Sequence, residues 1–109
     1  MQVVEYLDPT GKSVFAAWFD RLDPQSAAKV TVALQRLRQG NLSNMKAGVG
    51  GGVLEYRIDF GPGYRPYFGR DGEQIVVLLA GGTKRRQQQD IEAAQARWAE
   101  YRRRKKGVS

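Results

Sequence analysis

The stretch "IVVLLA", residues 75–80, holds six apolar residues in a row. A strand with one wet face alternates apolar and polar side chains, so an unbroken run marks a strand covered on both faces. "DGEQ" turns the chain into this strand and "GGTK" ends it. Any fold for this chain therefore has to cover that strand.

The neighbouring segments supply strands to pair with it and helices to lie on it. "QVVEYL", closed by "DPTG", predicts a first strand over residues 2–7. Val14, Phe15, Trp18, Phe19 and Leu22 recur at helical spacing, as do Ala27, Val30, Leu34 and Leu37. Asp23-Pro24 is an N-cap with proline at the first helical position, and Gly40 is a C-terminal stop. Two helices, about 11–21 and 24–39, are thus predicted as an antiparallel pair. "NLSNMKAGVGGG" reads as a loop. Leu54, Tyr56, Ile58 and Phe60 alternate with Val53, Glu55, Arg57 and Asp59, the period of a strand with one wet face. "GPG" closes a hairpin into "YRPYFGR", where Arg65 and Tyr67 share a face. Pro66 cannot donate to a ladder, which predicts an edge strand or a bulge there. From about Arg85 a last helix sets Ile91, Ala94, Trp98 and Tyr101 on one stripe.

The predicted order is β-α-α-β-β-β-α. It describes an α+β fold in one domain, residues 1–109: a small, mostly antiparallel sheet, a helical hairpin over one face and a basic C-terminal helix. Residues 102–109, "RRRKKGVS", are expected to fray.

Composition narrows the chemistry. Of 109 residues none is cysteine or histidine, which removes disulfides, thiolate nucleophiles, Ser-His-Asp triads and the commonest metal ligand. Neither a metal nor a cofactor is expected. No apolar run approaches the roughly 20 residues that span a bilayer, and no signal peptide is apparent, so a cytoplasmic protein without membrane contact is expected. Lys and Arg outnumber Asp and Glu by 18 to 11, a net charge of +7. Between Lys84 and Lys106, nine basic residues face three acids. Such a balance favours nucleic acid, the ribosome or an acidic protein as partner.

Two phosphate-loop patterns fail. "DPTGKS" lacks the glycine five positions before Gly11, where Tyr6 stands, and "GVGGG" has neither the strand nor the spacing of a dinucleotide site. Trp18 and Trp98 sit at core spacing. The informative residues are Arg57, Arg65 and Lys84, on or beside three strands that would pair antiparallel. Convergent guanidinium groups fork onto phosphate oxygens, and their fields add in a cleft. The bland alternative pairs each strand arginine with an acid such as Glu55 or Asp59. Tyr67 could stack on a base, and Lys46, Arg85, Arg86, Arg102 and Arg103 are further candidate RNA contacts.

The element order and small basic size resemble the RelE/ParE superfamily of bacterial type II toxins. "LEYRIDFGPGYRPYF" and "VVLLAGGTKRRQQQDIEAA" resemble its HigB-like branch, the addiction module killer proteins. The resemblance implies an endoribonuclease that cuts messenger RNA in the ribosomal A site and blocks translation. It also implies a cognate HigA-like antitoxin, a small DNA-binding protein, that holds it inactive. The ParE branch instead poisons DNA gyrase, which keeps a non-catalytic inhibitor as the alternative. On this resemblance Arg65 matches the "GYR" arginine, Lys84 the cation after the last strand, and Arg57 a basic residue of the preceding strand approximately. The tyrosine often found shortly after that last cation is missing; "RRQQQDI" puts Asp90 near its place. The histidine used by some HigB-type members is missing too.

Metal-independent RNA cleavage requires a proton removed from the 2′-hydroxyl and charge stabilised on the phosphorane. Arginine stays protonated, so Arg57 and Arg65 are expected as electrostatic clamps, with Lys84 stabilising charge or donating a proton. The base is left among Glu55, Asp59, Asp90, Tyr67 and a ribosomal group.

Overall fold

A computed structural model describes residues 1–41, 45–46 and 48–107, with only the backbone described for Met45 and Lys46. Five strands form one sheet: β1 (Gln2–Glu5), β2 (Met45–Lys46), β3 (Leu54–Tyr56), β4 (Tyr64–Asp71) and β5 (Ile75–Thr83), in the order β1-β5-β4-β3-β2. β1 runs parallel to β5 and the other pairs are antiparallel. The helices are α1 (Val14–Asp20), α2 (Pro24–Arg38) and α3 (Gln87–Gly107), the last preceded by a 3₁₀ turn over Lys84–Arg86. No helix among the described residues is long and apolar enough to cross a membrane.

β5 lies at the centre of the packing, as its apolar run requires. Val76 and Leu78 join Phe15, Val30, Leu37 and Phe68 in a core beneath the α1–α2 hairpin. Val77 and Leu79 join Tyr67, Ile91, Ala94 and Trp98 in a second core beneath α3. Residues 75–79 thus alternate between opposite layers, and Ala80 joins Leu79 beneath α3. Each buried aliphatic side chain contributes about 1.5–3 kcal/mol relative to exposure. Close approach of α3 depends on Gly69, where an added Cβ would stand 2.6 Å from Trp98 ring atoms.

The local signals hold for α2. The Asp23 carboxylate accepts the Ser26 N–H at 3.2 Å and the Ser26 hydroxyl at 2.6 Å, Pro24 opens the helix, and Gly40 follows it at φ +77°. Ser13 caps α1 the same way, shortening the expected helix 11–21 to Val14–Asp20. Pro66 is not on an edge strand, because β4 is flanked by β3 and β5. A bulge follows it: Tyr67 pairs with Ala80 but Phe68 pairs with Leu78, so Leu79 is the extra residue.

Three expectations change. The loop read from residues 41–52 contains β2, which pairs with β3. The strand read from 53–60 is regular only over Leu54–Tyr56, and its expected wet face is dry at Val53 and Glu55, both fully buried, while Arg57 and Asp59 stay exposed. The basic end does not fray at Arg102, since α3 continues through Gly107. There Lys105 reaches the Asp71 carboxylate at 2.5 Å and the Tyr101 hydroxyl donates to it at 2.6 Å.

Candidate functional site

Glu55 and Tyr67 are cross-strand partners on β3 and β4, on the face that α3 covers. Two residues beyond Glu55, Arg57 turns back and donates from Nε to Glu55 Oε1 at 2.8 Å. The first residue of α3, Gln87, donates from its amide to Oε2 at 2.8 Å. Arg65 approaches Oε2 through Nε at 3.7 Å, an ion pair outside hydrogen-bond range. Its Nη1 donates instead to the Gly63 carbonyl at 2.9 Å, and that carbonyl also accepts the Lys84 backbone N–H at 3.0 Å. One carbonyl therefore ties Arg65 to Lys84, and one carboxylate ties Arg65 to Arg57. Gly63 stands at φ +79°, and a Cβ there would press on Arg65 Nη1 at 3.0 Å, so glycine is required in the "GPG" turn.

Arg57 and Arg65 meet at Glu55, and the backbone of Lys84 joins the carbonyl that Arg65 also uses, but the two guanidinium groups are not free charges. Glu55 offsets one of the two guanidinium groups, which is the pairing that the bland reading of a strand arginine expects. Arg65 is only 7% exposed, whereas Arg57 and Lys84 reach solvent. Burial alone would raise the Glu55 pKa; bonds from Arg57 and Gln87 outweigh it and hold the carboxyl below its ordinary value. With both oxygens engaged and no exposure, Glu55 orients arginines and cannot reach a substrate hydroxyl in this arrangement.

Tyr67 differs from expectation. Its ring is fully buried against α3 and presents no face to a base. Its hydroxyl, turned toward Glu55 outside hydrogen-bond geometry, is pushed far above its usual pKa by burial and then by that carboxylate. Tyr67 is therefore unsuited to be the base.

Asp90 occupies a different position. It projects from the first turn of α3 onto Gly82, where any Cβ would overlap its carboxylate, and Gly82 is the cross-strand partner of Arg65. Half-buried, it has a raised pKa because burial outweighs the nearby charges of Arg86 and Arg97. Asp90 also lines an open groove between α1 and α3. The paired glycines Gly81 and Gly82 were the sequence signal for this close approach, with Trp18 packing on the first and Asp90 on the second.

The remaining candidates are dispersed. Arg85 and Arg86 are exposed on the turn before α3, and Arg86 Nε donates to Gln89 at 3.2 Å. Arg102 and Arg103 are exposed near the other end of α3. Fifteen residues separate Gln87 from Arg102, about 22 Å along the helix axis. Lys46 lies opposite Glu55 in the ladder, and its side chain is outside the described residues.

A basic α+β protein with one helical hairpin, one long covering helix and an arginine pair set at the end of its sheet is the class that this fold defines. Residues 17–104 match the family of the phage derived protein Gp49-like (DUF891), and the chain belongs to that family, a RelE/ParE-like toxin family of toxin–antitoxin systems. An uncharacterized protein of Haemophilus influenzae is 38% identical over 81 residues, covering 73% of this chain and 81% of that protein. Membership carries with it the expectation of an antitoxin partner.

Proposed function

We propose that this chain is the toxin of a type II pair, of the HigB-like kind, and that it cuts messenger RNA on the ribosome without a metal. The observation that supports this most is the chain of contacts Arg57–Glu55–Arg65–Gly63–Lys84, which fixes two guanidinium groups and the backbone of Lys84 at one end of the sheet. Pre-set cations of this kind stabilise the charge that develops on a pentacoordinate phosphorus, and removing one donor from such a set costs about 10²–10³ in rate.

Asp90 completes the chemistry as general base. Among the acids weighed for that role it combines a place over Gly82, the cross-strand partner of Arg65, with access to an open groove and a raised pKa. It stands where related toxins often carry a tyrosine. Lys84, exposed and next to Arg65, meets the phosphate first, while Arg65 supplies its field from behind. The ribosome positions the strand, and an antitoxin covers this cationic end.

A second reading, a non-catalytic inhibitor of gyrase, draws on the partial neutralisation of Arg57 and Arg65 by Glu55 and on the burial of Arg65. Mapping RNA 5′ ends after a pulse of expression separates the two. Codon-phased cuts in translated messages support the nuclease; trapped double-strand breaks in DNA with intact messages overturn it.

A further inference from the structure

Arg57 faces two ways. Its Nε is committed to Glu55, yet 44% of its side chain is exposed, and it also lines a cleft of about 350 Å³ between α2 and the segment Ile58–Phe60. Lys29 and Arg36 of α2 line the same cleft with Val32, Asp59 and Phe60. Lys29 and Arg36 are seven residues apart, two helical turns, so both project from one side of α2, about 10 Å apart along its axis.

The chemistry of the cleft is specific. Lys29 Nζ is held 5.1 Å from the Phe60 ring centroid, and neither Lys29 nor Arg36 makes an ion pair among the described residues. Three cations face one acid, Asp59. Val32 is 44% exposed, one of two large apolar side chains so displayed among the described residues, and it lies on α2 between the two cations. Cationic edges around an apolar and aromatic wall, in a volume near the lower end of small-ligand sites, fit a nucleotide.

We propose that this cleft is a subsite for the nucleotide adjoining the cut phosphodiester. The strand runs from Lys84 and Arg65 past Arg57 onto α2, where Lys29 and Arg36 neutralise backbone phosphates. Val32 and Phe60 take the apolar side of the sugar and base. Arg57 is the joint between the two parts: Glu55 holds its inner edge, and its outer edge reaches the strand. This rests on the nuclease reading and adds Lys29, Arg36, Val32 and Phe60 to it.

The test uses the full chain and a fluorescein-labelled hexaribonucleotide with 2′-O-methyl sugars, which lack the attacking hydroxyl. Anisotropy is read from 50 to 200 mM salt. Lys29→Ala/Arg36→Ala is compared with Arg38→Ala/Lys106→Ala, which removes the same charge from exposed positions outside both this cleft and the groove that Asp90 lines. All four residues are exposed, so both doubles fold, which circular dichroism checks. The subsite double is expected to bind at least 10-fold more weakly and to lose about 1.4 from the salt slope, with the other double within about 3-fold of wild type. Equal weakening in both doubles, or in neither, overturns the subsite. So does an absence of wild-type binding at 50 mM salt. Survival of the nuclease reading is judged separately, from codon-phased RNA 5′ ends in cells expressing the wild type.

Discussion

The Gln87 amide donates to Glu55 Oε2 at 2.8 Å, joining the first residue of α3 to β3 across 32 positions of sequence. That bond closes the dry side of the arginine pair. The Glu55 side chain on β3 holds both Arg57, in the segment after it, and Gln87 of α3, so it governs both the stability of this end and the aim of Arg57.

Replacing Glu55 by Gln leaves buried Arg65 without its counter-charge. Loss of about 3 kcal/mol is expected, the low end for a broken buried pair because Arg57 stays solvated and the Arg65 contact is long. The folded carboxyl titrates below its ordinary 4.5, so its contribution is fully present above pH 4.5 and is lost as pH falls through the depressed value. Urea midpoints of wild type and Glu55→Gln should therefore differ at pH 7 and converge as pH falls through the depressed Glu55 pKa. A constant gap across that range would remove the ionised carboxylate from the account.

Lys84→Ala and Arg65→Ala should separate. Lys84 is exposed, so its removal is expected to change stability by no more than about 0.5 kcal/mol while lowering message cleavage on programmed ribosomes about 100-fold. Arg65→Ala should lower both, because it strips a buried partner from Glu55 and a donor from the Gly63 carbonyl. Full cleavage by a folded Lys84→Ala would remove that lysine from the chemistry.

Asp90→Asn tests the base. Because burial raises its pKa, the ionised form costs folding energy above that pKa, and the neutral amide should be as stable as wild type or more so at pH 7. Cleavage should nevertheless fall, and the decline in rate as wild type is acidified through the Asp90 pKa should vanish. Gly82→Ala should do the same to the rate by pushing the carboxylate aside. An Asn variant with an unchanged pH–rate profile would return the proton to a ribosomal group.

Gly69→Ala probes the opposite end of the α3 interface. A methyl 2.6 Å from the Trp98 ring forces the helix or the ring to shift, at about 1–3 kcal/mol, read as a Tm lower by roughly 5–15 °C. The cationic end lies elsewhere along α3, so cleavage at a permissive temperature should survive.

The fold was largely legible because its signals are local. Asp23-Pro24 and Gly40 bound α2, and "IVVLLA" demanded two covering layers. Glu55 was not legible as buried, since period-two alternation tells which residues share a face and not whether a later helix lies on that face. The same α3 buried Tyr67, which sits beside Glu55 in the ladder. The neighbourhood of Arg65 and the start of the turn at Lys84 was legible because hairpin register follows from the "GPG" turn. The cleft on α2 escaped notice because Lys29 and Arg36 resemble any solvated helix surface until Phe60 is folded against them.

The offset between Tyr67 and Phe68 has a consequence for how this chain tolerates length changes. Leu79 is the unmatched residue, and past it Gly81 and Gly82 are aimed at Trp18 and Asp90 respectively. Deleting one residue anywhere from 80 to 82 would bring Thr83 into the place of Gly82, where a Cβ overlaps the Asp90 carboxylate. An insertion at the Gly72 turn, by contrast, leaves that phase untouched. Indel scanning should find a forbidden window at the end of β5 only a few residues from a permissive one.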